Sequence, residues 1–255
     1  MRKTFFVALA LSVVGQLANA AGELKAVSCL YELQAETYRF ARLQLENSTA
    51  ANQDLKGKLR TQIKSATQEL FLNLHEAKPG LGDAGMQRQY QRLDDQVADY
   101  VAEAVSITNV KGLAPLRNKQ AALLKSLDET ARQLVQKVPG AAGAGVVLIG
   151  SAKTNVERLA HDFEFCDTNC AQVLPPEVVT IDKNIDDMRN SLGKYFSKSS
   201  YDLAKNQIVF LRMAVDSRAR GSASELAQSN VIVTSTHLWE VIDEVLDAFT
   251  EKGGN

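Results

Sequence analysis

Apolar side chains recur every three or four residues along most of this chain. That spacing places them on one face of an α-helix, and helices of this length joined by short loops pack as antiparallel bundles. The pattern therefore predicts an all-α fold. The one β-branched run, Val231–Thr234, has no second strand to pair with and is also predicted to be helical. The four apolar stripes are Leu55, Leu59, Ile63, Ala66, Leu70 and Leu74; Tyr90, Leu93, Val97, Val101 and Ala104; Leu113, Leu116, Leu123, Leu127, Leu134 and Val138; and Leu238, Ile242, Val245 and Phe249.

Glycines and prolines divide the chain. The stretch 140–145 is rich in small residues and lies near the middle, so it is predicted to be a flexible hinge. Pro175 and Pro176 are predicted to stop a helix. We therefore expect a first helical module over residues 21–139 and a second over residues 146–255, each a four-helix bundle. One elongated bundle of about eight helices is the alternative.

The N-terminus has the three parts of an export signal. Arg2 and Lys3 are basic, Phe5–Val14 is apolar, and Ala18–Ala20 has the small-x-small pattern that a signal peptidase cuts. The apolar run is shorter than the roughly 20 residues that a membrane span needs. We therefore predict a signal peptide over residues 1–20 and a soluble periplasmic protein.

Charge and motifs exclude two function classes. The chain has 29 basic and 30 acidic residues, and removal of the predicted signal peptide would leave it mildly acidic. Nucleic acid is therefore not an expected partner, because it would require a basic surface. The sequence contains no Gly-x-Ser-x-Gly motif and no phosphate-binding loop. We expect no enzyme and no cofactor.

The chain has three cysteines, Cys29, Cys166 and Cys170, and export would place them in an oxidising compartment. A local bridge between Cys166 and Cys170 is the first prediction, and a bridge from Cys29 to either of them is the alternative. An odd number leaves one thiol over. His161 could join the near pair around zinc, but a fourth ligand is missing and no metal site is predicted.

The segment Val147–Ala160 resembles the P-box of the PilJ/NarX-like periplasmic sensor domains. These domains occur in nitrate/nitrite sensor kinases and at the N-terminus of type IV pili methyl-accepting chemotaxis transducers. Ala21–Lys25 is similar to the start of a first, degenerate copy. The motif positions are occupied in the second copy by Gly150, Lys153, Arg158 and Leu159.

The resemblance implies a non-enzymatic binding or sensing module for a small ligand. In the family the motif binds an anion, and here Gly150 at a helix start would turn backbone amides toward it while Lys153 adds a positive charge. A lysine cannot grip a planar anion through two parallel hydrogen bonds, so nitrate is not favoured. The expected ligand-binding residues are Gly22, Lys25, Gly150, Ser151, Lys153 and Arg158.

Other interpretations of the same residues remain open. Lys153 can be a solvated side chain, and Arg158 can form a helix-surface ion pair with Asp162. Because the sequence shows no signalling domain, we expect the module to act through an envelope protein or a membrane receptor. A homodimer is compatible with the resemblance. The alternative function is a helical envelope scaffold that binds other proteins and no small ligand.

Overall fold

A computed structural model gives the backbone of residues 3–107, 113–138, 140–166, 168–221 and 225–253, with side chains described from residue 21 to 251 within these ranges except at 225 and 226. Its described part is helical and contains no strand, which confirms the all-α prediction. A 3₁₀ turn over Lys78–Leu81 joins the second and third helices. The helices are α1 (Lys3–Thr49), α2 (Gln53–Ala77), α3 (Ala84–Ser106), α4 (Leu113–Val135), α5 (Gly140–Phe165), α6 (Cys170–Ser191), α7 (Lys198–Ala219) and α8 (Glu225–Gly253).

The helices are arranged as two groups of four. In the first group α1 packs on α2 and α4, and α3 packs on α4; in the second, α5 packs on α6 and α8, and α7 lies between α6 and α8. Tyr100 on α3 shows how the first group is held together. Its ring contacts Phe40 edge-to-face with centroids 5.4 Å apart, and its hydroxyl donates a hydrogen bond to the carbonyl of Thr37 at 2.8 Å.

The two groups meet along α1 and α5, which run side by side in the same direction. Gly150 on α5 lies against Tyr31 of α1, and His161 further along α5 lies against Tyr38 further along α1. A Cβ atom on Gly150 would come within 2.5 Å of the Tyr31 Cβ, so glycine permits this close approach. The buried apolar side chains of both groups form one continuous core. We call this contact between α1 and α5, with the parts of α2 and α8 that flank it, the seam.

The hinge predicted over residues 140–145 is wrong, because this segment forms the beginning of α5. Gly140 starts the helix with φ +67°, a conformation that favours glycine. Gly145 is buried under the ring of Phe249 in α8, and a Cβ there would come within 2.5 Å of that ring. The small residues at this position allow helices to pack closely and do not interrupt them.

The helix stop predicted at Pro175 and Pro176 is also wrong, since both lie inside α6 near its N-terminus. The helix breaks earlier, between Phe165 and Cys170. There the predicted disulfide is confirmed: Cys166 and Cys170 are bonded, with Cα atoms 5.1 Å apart, and close the connection between α5 and α6. Cys29 is buried and not bonded to either, and burial raises the pKa of its thiol to about 11.

The predicted signal peptide falls on residues 1–20, whose side chains lie outside the described part of the chain, so it stays a prediction. Among the helices that the structure describes, none is long and apolar enough to cross a membrane.

The close approach at Gly150 can be tested with two alanine substitutions. Gly150→Ala should lower the free energy of unfolding by about 1–3 kcal/mol, because the new methyl group forces α1 and α5 apart. Gly57→Ala is the matched control: Gly57 is also inside a helix, but a Cβ there meets no other atom within 4 Å. It should raise stability by up to about 1 kcal/mol. Urea unfolding followed by circular dichroism measures both. Equal effects of the two substitutions would contradict the packing described for Gly150.

Candidate functional site

Lys153 is a buried cation at the seam. Its residue is 3% exposed, and its Nζ lies 2.5 Å from Glu32 of α1 and 2.5 Å from Asp243 of α8. The same Nζ lies 4.1 Å from the centre of the Trp239 ring, close enough for a cation–π interaction. One side chain on α5 thus joins three helices. The alternative interpretation of Lys153 as a solvated side chain is wrong.

The expectation that Gly150 opens a helix is also wrong. Because α5 begins at Gly140, the amide groups around Gly150 lie inside the helix, where they donate hydrogen bonds to carbonyls four residues earlier. Gly22 likewise lies inside α1. A helix presents free amide groups only in its first turn, so neither glycine offers the anion-binding helix terminus that the motif suggested.

Lys25 has a different environment from Lys153. Its side chain is 63% exposed, and its Nζ lies 3.1 Å from Glu76 of α2. Gly22 packs beside Gly80 of the 3₁₀ turn, whereas Gly150 packs on Tyr31, well beyond Gly22 along α1. The structure therefore does not bring the two motif-like segments level with each other, and the two lysines do not form one site.

Ser151 and Arg158 do share a feature, an open groove between α1, α4 and α5 with a volume of about 440 Å³. Burial raises the pKa of the Tyr31 phenol in this groove, against the opposing effect of the Ser151 side chain. Arg158 pairs across to α6, where its Nε lies 3.0 Å from Glu177, so the expected helix-surface pair with Asp162 is not its main contact. The other residues of this groove are Gln34, Tyr38, Leu124, Lys125, Asp128, Thr154 and Asn155.

Two carboxyl groups beside Arg158 are coupled. Burial, together with a hydrogen bond to Asp162, raises the pKa of Glu177 to about 8 against the opposing effect of Arg158. Burial alone would raise the pKa of Asp162, but hydrogen bonds from His161 and Glu177 lower it. The His161 Nδ1 lies 2.7 Å from Asp162. Near neutral pH, Glu177 therefore keeps its proton and Asp162 is ionised.

A second cavity lies in the seam, a partly enclosed cleft of about 220 Å³ between α1, α2, α5 and α8. Sequence reasoning did not find it. The sequence did contain a pattern that indicates it, because the charged residues of α1 recur every three or four positions and form a stripe along the helix. On a surface helix such a stripe is solvated. Here it faces α5. The stripe is Glu32, Glu36, Arg39, Arg42 and Glu46, and the cleft is lined by Arg39, Arg42, Leu43, Glu46, Gln62, Glu157, Ile232, Thr236 and Trp239.

Arg42 and Glu157 face each other across this cleft, and each is only 6% exposed. Arg42 donates a hydrogen bond to Glu46 at 2.8 Å, whereas its distance to Glu157 is 3.7 Å, beyond hydrogen-bond length. Burial would lower the pKa of Arg42, but the charges of Glu157 and Glu46 outweigh it and raise the pKa. Burial also raises the pKa of Glu36 to about 7, although its partner Arg39 opposes this.

Several polar atoms of the seam are buried without a hydrogen-bond partner among the described residues. They include the Arg42 Nε, one Glu157 carboxylate oxygen and the indole N–H of Trp239. A buried polar group without a partner costs about 1–3 kcal/mol, more if it is charged. The seam is therefore the best candidate for a site, because its buried charges exceed what helix packing requires.

Comparison of the chain with family models, with curated proteins and with solved structures finds no match. The chemistry of the site therefore has to be argued from its own residues.

Removing the buried cation should destabilise the protein. Lys153→Met leaves Glu32 and Asp243 without their partner, and since Asp243 is partly exposed we expect a loss of about 3 kcal/mol at pH 7. Lys25→Met is the matched control, which breaks a solvated ion pair and should change the free energy of unfolding only slightly. Urea unfolding measures both. If the two variants lose the same stability, the seam ion pairs do not hold the helices together.

The raised pKa of Glu177 predicts a pH dependence. The folded protein holds a proton that the unfolded chain releases near the ordinary pKa of a glutamate, so the stability that this proton contributes is complete below that pKa. It is lost as the pH rises toward about 8. Glu177→Gln cannot ionise, so it should lose less stability than the original protein between pH 5 and pH 8. Urea unfolding at four pH values tests this, with the exposed Glu129→Gln as control. If the free energy of unfolding of Glu177→Gln depends on pH in the same way as that of the original protein, the prediction is refuted.

Proposed function

We propose that this protein is a soluble, non-enzymatic binding module of the periplasm. It takes a small ligand in the seam cleft and acts through a partner protein in the envelope, in the manner of the PilJ/NarX-like sensor domains that its motif resembles. The observation that carries the proposal is the partly enclosed cleft with buried charges, Arg42 and Glu157, where two helix bundles meet.

The charge content of the seam supports binding over packing alone. Apolar side chains of similar size would hold two bundles together at least as well, because removing charges from water costs more than most buried ion pairs return. Polar groups that are buried beside a cavity and lack partners are suited to a ligand that supplies those partners. The proposed site therefore lies away from the helix terminus that the motif suggested, but on the same helix, α5.

The position of the cleft also supplies a route to a partner. α1 packs in the first bundle and, through the seam, against α5 of the second. A ligand that contacts both helices binds one arrangement of the bundles more tightly than another and shifts the population toward it. A partner that contacts the outer helices of both bundles would respond to that shift, which is the coupling that sensing requires.

A second candidate function, an envelope scaffold without a small ligand, is favoured by α7. Four large apolar side chains on this helix are each more than two-fifths exposed, which is the surface expected where another protein docks. They are Leu203, Val209, Phe210 and Met213.

A ligand screen tests the proposed function. Trp239 is the only tryptophan of the chain and lines the cleft, so its fluorescence reports on the site directly. We expect at least one small metabolite to change its emission and to raise the melting temperature, with a gain of about 2.7 kcal/mol at a concentration one hundred times its Kd. The screen should include anions, cations, zwitterions and neutral compounds.

The variant Arg132→Met serves as a control protein in the ligand screen. Arg132 pairs with a carboxylate four residues away, as Arg42 does, but on an exposed surface. Its substitution should leave the response intact. If no compound of any charge class changes either signal, the binding function is refuted and the scaffold function takes its place.

A further inference from the structure

We infer that the ligand of the seam cleft is a small zwitterion, a molecule of the size of a free amino acid that carries one carboxylate and one ammonium group. This inference rests on the proposed function, since it names the class of ligand for the same cleft. Four observations on the lining residues carry it.

The first observation is the balance of charge. The cleft is lined by two arginines, Arg39 and Arg42, and by two glutamates, Glu46 and Glu157. A simple anion would approach two carboxylates, and a simple cation would approach two guanidinium groups. Like charges at such close range cost several kcal/mol in a buried interface. A ligand without net charge but with both kinds of charged group avoids this cost.

The second observation is the mixture of unpartnered groups. Within the described residues, Arg42 and Trp239 each bury an N–H without an acceptor, and Glu157 buries a carboxylate oxygen without a donor. A ligand that only accepts hydrogen bonds would leave Glu157 unpaired, and one that only donates would leave Arg42 and Trp239 unpaired. These atoms are not exposed to solvent in the structure, so a ligand reaches them only when the side chains around the cleft open. A carboxylate and an ammonium on one molecule then supply both kinds of partner.

The third observation is the gap between Arg42 and Glu157. These two side chains come from different helices, and their closest charged atoms are 3.7 Å apart. Among the described residues, the other ion pair of Arg42, with Glu46, is within its own helix. A loose pair that spans the seam can open with little loss, and a zwitterion can then place its carboxylate on Arg42 and its ammonium on Glu157. Binding would replace one weak contact with two charge-assisted hydrogen bonds.

The fourth observation is size and apolar surface. A volume of about 220 Å³ is less than the roughly 300–1,000 Å³ of sites for drug-sized ligands, which suits a small molecule. Leu43, Ile232 and Trp239 supply apolar contacts for a short aliphatic side chain.

The experiment compares three matched sets of probes by calorimetry and Trp239 fluorescence. The first set is glycine, alanine, valine and leucine; the second is the corresponding amines without a carboxylate; the third is the corresponding carboxylates without an amine. We expect at least one amino acid to bind, with an affinity at least about tenfold higher than that of its amine and its carboxylate.

Two variants locate the interaction. Glu157→Gln is close in size to the original side chain and should weaken amino-acid binding by about tenfold or more. The variant should not bind the corresponding amine more tightly than the original protein does. Arg42→Lys keeps a positive charge but cannot form two parallel hydrogen bonds and should weaken it as well. Circular dichroism and melting temperature establish that each variant is folded. The exposed Arg132→Met should bind as the original protein does.

The results separate this inference from the proposed function. If an amine or a carboxylate alone binds in the cleft as tightly as its amino acid, the ligand is not a zwitterion, although a ligand-binding function stands. If another class of compound binds and changes Trp239 emission while no amino acid does, the inference is likewise wrong. If amino acids bind but Glu157→Gln and Arg42→Lys leave the affinity unchanged, they do not bind in this cleft, and the inference fails.

Discussion

The ion pairs of Lys153 with Glu32 and Asp243 are the contact on which the arrangement of the two bundles depends. One ammonium group, 3% exposed, joins α1, α5 and α8 at the place where the bundles meet. A buried cation is stable only while its partners are in place, so α1 and α8 have to keep their positions relative to α5. Gly150 adds to this constraint, since its missing side chain allows α5 to lie directly on Tyr31.

The same constraint makes the seam polar. A continuous apolar core runs through both bundles, yet one face of α1 carries a stripe of charges that begins at Glu32 and continues to Glu46. Close to Lys153 these charges are paired by short contacts. Further along the seam the helices leave a cleft, and there the contact between helices, from Arg42 to Glu157, is 3.7 Å long. The site that we propose therefore lies where tight pairing gives way to a cavity, beside the anchor that keeps its walls in place.

Local sequence signals predicted the helices and the disulfide well but failed at glycine-rich and proline-rich segments. The apolar stripes and the pair Cys166–Cys170 depend on spacing over a few residues, which the structure preserves. The predicted hinge over residues 140–145 and the predicted helix start at Gly150 were wrong for one reason. A glycine can break a helix or can admit a neighbouring helix, and only the neighbour, here Phe249 or Tyr31, decides between the two.

The sequence alone determined that this protein is all-α, because hydrophobic periodicity is a local property that acts on each segment separately. It also supplied Lys153 as a residue worth attention. Only the tertiary structure decided that Lys153 is saturated by two carboxylates and a tryptophan, and that the cleft lies with Arg42, Glu157 and Trp239 instead. The physical reason is distance along the chain. These side chains come from α1, α5 and α8, and no local pattern records which buried charges meet when three helices pack.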